Sequence, residues 1–592
     1  MPMRPSTDTT NNHSLMRIRL WYGLIVIVMA IFGIRLFYLE IIRYDYYRKT
    51  ALNSQLKQYQ IPAERGLIKA HDRDGLVPVV LNQTLYTLFA DPKFIKNPEE
   101  LSYKVQKIIG GRAEDYENAM KQSSRYVVLA HKLKASQKKR IEDLHKPGLG
   151  TQAVSYRTYP QSTLASQLLG FVNDNGNGKY GVEQALEPQL RGTPGQLRAV
   201  TDVNGVPLAA TKDNVETEAV AGKDIVLTIN LGVQAQLEKI LKQYFEKTES
   251  KGLNAVIIDP NSGQVKAMAN YPTYNPAVFS KVSDQTLFQN GTVSNAIEPG
   301  SIMKLLTTSA ALDQDVITPT TSFYDPSYWE VDGFTINDIE ERGAKNQTIA
   351  TTLNLSLNTG ATWMLMQMGG GEINSKARNA WYDYMVNHFQ LGKQTGIEQG
   401  YEAAGFIPLP KNNGAGINLT YANSSFGQAV TMTPLQMAGA VSSVLNGGTY
   451  YQPTIIDQTI SASGKVSDNS PKIVKQHVVS SQVGIDLKKL MEYVIERHYA
   501  VGFNYLNFSS SYSVGGKTGT AQIANPSGGY YSDKFNGTYV GFVGGDRVEY
   551  VIVIYNMQPV VPGYAGSFGG QPVFADIAHM LIDNGYVTPK NN

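Results

Sequence analysis

Val514-Gly-Gly-Lys-Thr-Gly-Thr-Ala521 reads as a strand whose glycines are expected to let a substrate backbone approach closely and pair along the strand edge. The embedded Gly-Lys-Thr is not a phosphate loop, because that motif requires a second glycine at position 511, where Ser511 stands. Further strands are predicted on both sides. Ala255–Asp259, the turn Pro260-Asn-Ser-Gly263 and Val265–Ala269 form a hairpin pattern, and Tyr539–Gly544 and Tyr550–Tyr555 follow the glycine-rich run. Apolar residues at 233, 237, 240, 241, 244 and 245 mark one buried helical face. Phe574, Ile577, Ala578 and Leu581 mark a closing helix, and helical patterns dominate the middle third. Strands, then helices, then strands predict an α+β fold with a largely antiparallel sheet. No internal repeat or long low-complexity segment interrupts it.

Three short pieces carry the candidate chemistry: Ser301-Ile-Met-Lys304, Ser356-Leu-Asn358 and Lys517-Thr-Gly519. The first follows Glu298-Pro-Gly300, so a helix starting near Ser301 puts Ser301 and Lys304 on one face at i and i+3. A serine hydroxyl is a poor nucleophile until something takes its proton. A lysine does so only if burial or a nearby cation keeps it neutral, and Lys517 is the candidate cation. Each piece alone is a common pattern; their order, with room for a helical subdomain between the Ser-x-x-Lys helix and the Lys-Thr-Gly strand, is the informative feature.

Composition narrows the alternatives. The chain has 592 residues, enough for several domains. A net charge of +3 gives no basic footprint for nucleic acid, and the basic stretch 131–140 reads as the solvated face of a helix. The absence of cysteine excludes disulfides, thiolate metal sites and a cysteine nucleophile. The eight scattered histidines include no His-Glu-x-x-His, so a catalytic metal is not expected; separately, no cofactor is expected. Gly369-Gly-Gly371 reads as a helix exit, and Met364, Met366 and Met368 as packing residues.

Near the N-terminus, a polar stretch of fifteen residues, expected to lack fixed structure, leads into the uncharged run Leu20–Ile34, extended by Leu36-Phe-Tyr-Leu39 and flanked by Arg19 and Arg35. This predicts a single membrane span. No small-x-small cleavage site follows, so the segment reads as an uncleaved anchor. Arg4, Arg17 and Arg19 against the single acid Asp8 place the tail in the cytoplasm and everything after about residue 40 outside. A change of texture across 216–224 marks a further boundary.

The three motifs in this order are the signature set of penicillin-binding proteins and class A β-lactamases. The chain resembles one branch, the monofunctional class B penicillin-binding proteins, over nearly its whole length. Pro62-Ala-Glu-Arg-Gly-Leu-Ile68 and Asp72-Arg-Asp-Gly75 look like that family's juxtamembrane segment. Arg157-Thr-Tyr-Pro160, Gly181-Val-Glu183 and Leu190-Arg-Gly192 are similar to its non-catalytic pedestal. Glu298-Pro-Gly-Ser301, Thr433-Pro-Leu-Gln436 with Asn446-Gly-Gly448, and Gly516–Gln522 extend the match around the motifs. Ile302, where threonine is commoner, and Leu357, where serine is commoner, depart from the pattern.

The resemblance implies a penicillin-binding-protein/serine β-lactamase-like transpeptidase domain at 221–592, an elongated pedestal of the dimerisation type at 40–220, a transmembrane anchor at 18–39 and a cytoplasmic tail at 1–17. It implies that Ser301 is acylated by the D-Ala-D-Ala end of a peptidoglycan stem peptide, or by β-lactam antibiotics. Lys304 is then the base and Ser356 the proton relay, while Asn358 hydrogen-bonds Lys304 and the substrate amide. Lys517, Thr518, Gly519 and Thr520 hold the substrate, and the backbone N–H groups of Ser301 and Thr520 form the oxyanion hole. Thr431–Gln436 and Tyr564–Gly570 with Pro572–Phe574 look like the division-specific branch. Its expected partners are a SEDS-family glycosyltransferase and other divisome membrane proteins. An elongation-specific enzyme shares the same chemistry. A D,D-carboxypeptidase or β-lactamase does not require residues 40–220, a β-lactam sensor is expected to carry extra spans, and a scaffold need not keep Lys304 and Lys517.

Overall fold

In a computed structural model, the structure describes residues 11–47, 56–73, 75–200, 215–411, 414 and 416–591. By internal contacts the chain divides into two units, 1–63 with 193–220, and 64–192 with 221–592. In the first, helix α1 (Asn11–Phe37) runs into a π-helical turn at Tyr38–Ile42. Residues 16–42 form a helix long and apolar enough to cross a membrane, and its apolar window is not buried in the chain at all. The expected unstructured leader is thus helical from Asn11 onward, and residues 1–10 of the tail lie outside the described residues. The strands Leu56–Ile61, Gly195–Val200 and Val215–Thr217 form an antiparallel sheet in the same unit.

The second unit begins with β1 (Ile68–Asp72), the long β2 (Gly75–Ala90), β3 (Val127–Leu133) and β4 (Leu149–Thr158). β2 pairs with β4 from Leu81↔Thr158 to Ala90↔Leu149, and Leu88, Val105, Met120 and Leu133 close a small core against it. The basic stretch 131–140 divides: its first three residues end β3, and a helix starts only at Ala135. β5 (Asp224–Asn230) joins β1 in parallel, Ile225 opposite Ile68.

The polar residues that carry the pedestal resemblance converge on one carboxylate. Glu183, with no exposed surface, receives Arg65 Nη2 at 2.5 Å and Arg157 Nε at 2.8 Å; Arg65 also pairs with Glu187 at 2.5 Å. Arg157 Nη1 donates to Asn82 on β2 at 2.7 Å, so the cluster ties four separate sequence segments together. Removing one partner of a buried ion pair leaves an uncompensated charge. Glu183→Ala is therefore expected to destabilise the fold by about 3–5 kcal/mol, with Glu183→Gln losing less, as measured by denaturant unfolding.

The remainder is built around five antiparallel strands. After α2 (Leu231–Lys247), capped by Asn230 Oδ1 on Val233 N at 3.1 Å, come β6 (Gly252–Ile258) and β7 (Val265–Tyr271), the expected hairpin. The middle third supplies α3 (Lys304–Asp313), the short hairpin β8 (Tyr328–Val331) and β9 (Phe334–Asn337), α4 (Asn358–Met368), α5 (Pro434–Leu445) and α6 (Ser481–Ala500). β10 (Ser513–Ala524), β11 (Tyr530–Gly544), β12 (Val548–Met557) and α7 (Gln571–Asp583) complete it. The sheet order is β7-β6-β12-β11-β10, which leaves β10 at an edge.

Alternate residues of the sheet face different cores, as the two-residue strand period requires. Tyr539, Val543, Ile552 and Ile554 pack with α2 and α7, whereas Val540, Phe542, Val551 and Val553 pack with the helices of the middle third. Both faces are covered, so the two strand ends and the free edge of β10 are the places left for function.

Candidate active site

Ser301 lies in a 3-10 turn, Gly300–Met303, that leads into α3. The turn is held in place from two sides: Thr538 Oγ1 of β11 donates to Pro299 O at 2.6 Å, and Gly300 N donates to Gly427 O at 3.0 Å. Gly300 has φ +62°, and a Cβ there would stand 2.7 Å from Thr520 O, so only glycine allows this approach. Just before it, the Glu298 carboxylate accepts from Ala429 N and from the Tyr530 hydroxyl, each at 2.9 Å. Burial raises its pKa.

One turn on, Lys304 is completely buried. Its Nζ lies 2.9 Å from Ser301 Oγ, 2.5 Å from Ser356 O, 2.8 Å from Asn358 Oδ1 and 3.3 Å from Ser356 Oγ. Burial, reinforced by the charge of Lys517 and opposed by Asp338, holds this amine well below the ordinary lysine range. A neutral amine has two N–H bonds and one lone pair. Ser356 O and Asn358 Oδ1 can only accept, so they take the two N–H groups, and the lone pair is left facing the Ser301 hydroxyl. The Asn358 amide is fixed in that sense because its Nδ2 donates to Asn337 O at 3.1 Å.

Ser356 immediately precedes the N-cap of α4 and holds φ +60°, a strained conformation for a residue with a Cβ. Its hydroxyl sits between the two lysines: Lys517 Nζ donates to Ser356 Oγ at 2.9 Å and to Thr518 O at 2.9 Å. Lys517 is likewise buried, which brings its pKa down to about 7. Behind it, His498 Nδ1 pairs with Gln571 Nε2 at 2.8 Å; burial and the Lys517 charge lower the imidazole pKa.

The arrangement thus joins Ser301, Lys304, Ser356, Asn358 and Lys517 in one hydrogen-bonded chain on α3, the start of α4 and β10. Gly519 and Thr520 lie beside Pro299–Gly300, while Thr518 is tied to Lys517 through its carbonyl. Ile302 and Leu357, the departures from the family pattern, are both fully buried and face the core. The glycines of β10 play a different part from the one expected. A Cβ at Gly516 would strike the Tyr539 hydroxyl and one at Gly519 the Thr538 hydroxyl, so both make room for the chain's own packing rather than for a substrate.

A cleft of about 1230 Å³ opens over Ser301, lined also by Asn358, Asp338, Thr520, Gln522 and Phe334. It presents a hydroxyl with a buried amine of lowered pKa behind it, amide donors at a helix start, and a free strand edge: the parts needed for acyl transfer through a serine ester. Asn337, Asp338 and Glu298 carry contacts at this site to which no role was given from sequence. Glu298 adjoins the quoted Pro-Gly-Ser, whereas Asn337-Asp338 has no local signature.

Comparison with known proteins agrees with the geometry. Residues 253–579 match the penicillin binding protein transpeptidase domain, and residues 60–227 the penicillin-binding protein dimerisation domain. The chain is 29% identical to stage V sporulation protein D of Bacillus subtilis, over 96% of this chain and 85% of that one. To peptidoglycan D,D-transpeptidase FtsI of Escherichia coli it is 25% identical, over 95% and 90% respectively. Among solved structures, penicillin binding protein 2X of Streptococcus thermophilus superposes with a TM-score of 0.71 at 21% identity, covering 90% of this chain and 80% of that one. Penicillin binding protein 3 of Mycobacterium tuberculosis, complexed with aztreonam, gives 0.67 at 24% identity, covering 90% and 98%.

Proposed function

The chain belongs to the penicillin-binding protein transpeptidase family, and from that premise we propose that it is a class B peptidoglycan D,D-transpeptidase of the division septum. The observation that carries this reading is Lys304 Nζ at 2.9 Å from Ser301 Oγ, in a burial that lowers the amine's pKa and so favours its neutral form.

Ser301 Oγ attacks the penultimate D-Ala carbonyl of a stem peptide while its proton passes to Lys304. A positioned base of this kind contributes about 10²–10⁴-fold. The oxyanion is met by the backbone N–H groups of Ser301 and Thr520, each such donor being worth about 2.7–4 kcal/mol. Ser356, between the two lysines, relays the proton to the departing amine. The C–N bond breaks, terminal D-Ala leaves, and an ester remains on Ser301. The amine of a second stem attacks that ester, gives up a proton along the same path and restores the serine. Lys517, Thr518 and Gly519 hold the substrate carboxylate and backbone at the edge of β10. β-Lactams acylate the same hydroxyl because they resemble the D-Ala-D-Ala end. No step calls for a metal or cofactor.

The long apolar α1 supports single-pass anchoring. Orientation follows from the positive-inside rule, with the tail cytoplasmic and the catalytic domain at 221–592 outside, carried on a pedestal at 40–220. The septal assignment is supported by the likeness to stage V sporulation protein D and to peptidoglycan D,D-transpeptidase FtsI, and with it goes partnership with a SEDS-family glycosyltransferase and other divisome membrane proteins. Fluorescent-penicillin labelling in dividing cells tests it. Label concentrated at septa and dependent on Ser301 is expected. Label along the side wall and absent from septa would reverse the assignment to an elongation enzyme, and turnover of the bound β-lactam within minutes would replace the transpeptidase by a hydrolase.

A further inference from the structure

The centre just described depends on where Ser356 and Asn358 stand, yet Ser356 holds a strained backbone just before α4 and Asn358 is only the first residue of that helix. What holds that junction comes from the short hairpin of β8 and β9. β9 ends at Asn337, whose carbonyl takes the Asn358 Nδ2–H, and the next residue, Asp338, turns its carboxylate onto the start of α4. Asp338 Oδ1 accepts from Asn358 N at 2.5 Å and from Thr359 N at 3.2 Å, and Oδ2 accepts from Thr359 Oγ1 at 3.1 Å. Thr359 Oγ1 is also 2.8 Å from Asp325 Oδ2, so its one proton is shared between two carboxylates. On the far side, Trp329 Nε1 of β8 donates to Thr359 O at 3.0 Å.

Leu357, the N-cap of α4, has no side-chain acceptor for the first N–H groups of the helix. Asp338 supplies that acceptor from a distant strand, where an anion is favoured by the orphan amides of a helix start. Those two hydrogen bonds tether the start of α4, and with it the backbone that carries Ser356. Its hydroxyl falls between the two lysines, and the Asn358 amide oxygen, already oriented by Asn337, faces Lys304.

We propose that Asp338 is a positioning residue for this reaction, setting Ser356 and Asn358 against Lys304 by capping α4 from the tip of β9. The inference rests on the acyl-enzyme reading of Ser301. Asp338 lines the cleft, but its role is to place the groups that act and it gives or takes no proton of the substrate.

The test is the rate at which a fluorescent penicillin acylates the full chain in detergent, with concentration varied to separate binding from the acylation step. Asp338→Ala is expected to slow the acylation step by about 10²-fold, as a displacement of about 1 Å does, with binding little changed. Asp338→Asn keeps an oxygen in the same place and recovers most of the loss. Asp338→Glu keeps the charge but displaces the oxygens, and stays slow. Melting midpoints of all three check folding, and the Asn and Glu variants decide the matter if the alanine variant fails to fold. Wild-type rates in all the variants that fold, or Glu fast and Asn slow, would overturn the role of Asp338. An unlabelled wild-type protein would instead overturn the reading of Ser301 itself.

Discussion

Ser301→Ala is expected to abolish penicillin labelling and to reduce stem-peptide cross-linking by roughly 10⁶-fold, the scale seen when the nucleophile of a serine enzyme is removed. The loss should be near total because the site offers no substitute. Ser356 Oγ also lies within reach of Lys304, at 3.3 Å, but it is farther than Ser301 Oγ and already accepts from Lys517. Folding should be unaffected, since Lys304 keeps its contacts with Ser356 and Asn358 when the Ser301 hydroxyl is gone. The variant should melt with the wild type while failing to label. A Ser301→Ala protein that still cross-links would remove Ser301 from the mechanism.

Lys517→Met separates stability from activity. Burial brings this amine from the ordinary 10.5 to about 7. At about 1.36 kcal/mol per pKa unit, that is on the order of 5 kcal/mol of folding free energy given up at neutral pH. The direction follows from proton counting. Between about pH 7 and 10.5 the unfolded chain binds the proton that the folded chain sheds, so the contribution of this group to stability rises with pH across that window. Below about 7 both states are protonated and the penalty is constant. Methionine fills similar space with no charge to desolvate, less the hydrogen bonds to Ser356 and Thr518. The variant should melt higher than the wild type near pH 7, and the difference should narrow toward pH 10. Acylation should fall by about 10²–10⁴-fold, because the relay hydroxyl loses its cationic partner. A variant less stable than wild type at pH 7 would show that Lys517 is not held against a desolvation penalty.

Much of this site is legible in the sequence because its chemistry is local. Ser301 and Lys304 share a helical face by their spacing, and Lys517 stands in a glycine-rich run that reads as a strand. The five-stranded sheet was legible through its hairpin signals, the long helices through their apolar stripes. The glycines of β10 were read as room for a substrate, yet Gly516 and Gly519 turn toward Tyr539 and Thr538; which face of a strand is free depends on its neighbours, and these come from β11. The pair β8 and β9 was missed because four-residue strands are too short to show a period. With them went Asn337 and Asp338, whose contacts with α4 exist only once the chain has folded back across about twenty residues. The Glu183 cluster shows the same limit in the pedestal: its arginines were quoted in separate motifs, and only the fold brings them onto one carboxylate.

The central claim is that Ser301 becomes an ester. Intact-mass measurement after incubation with a β-lactam, followed by peptide mapping, tests it directly. One adduct per chain is expected, on the peptide bearing Ser301 and absent from Ser301→Ala. An adduct on another residue, or a folded protein that takes up no β-lactam at all, would contradict it.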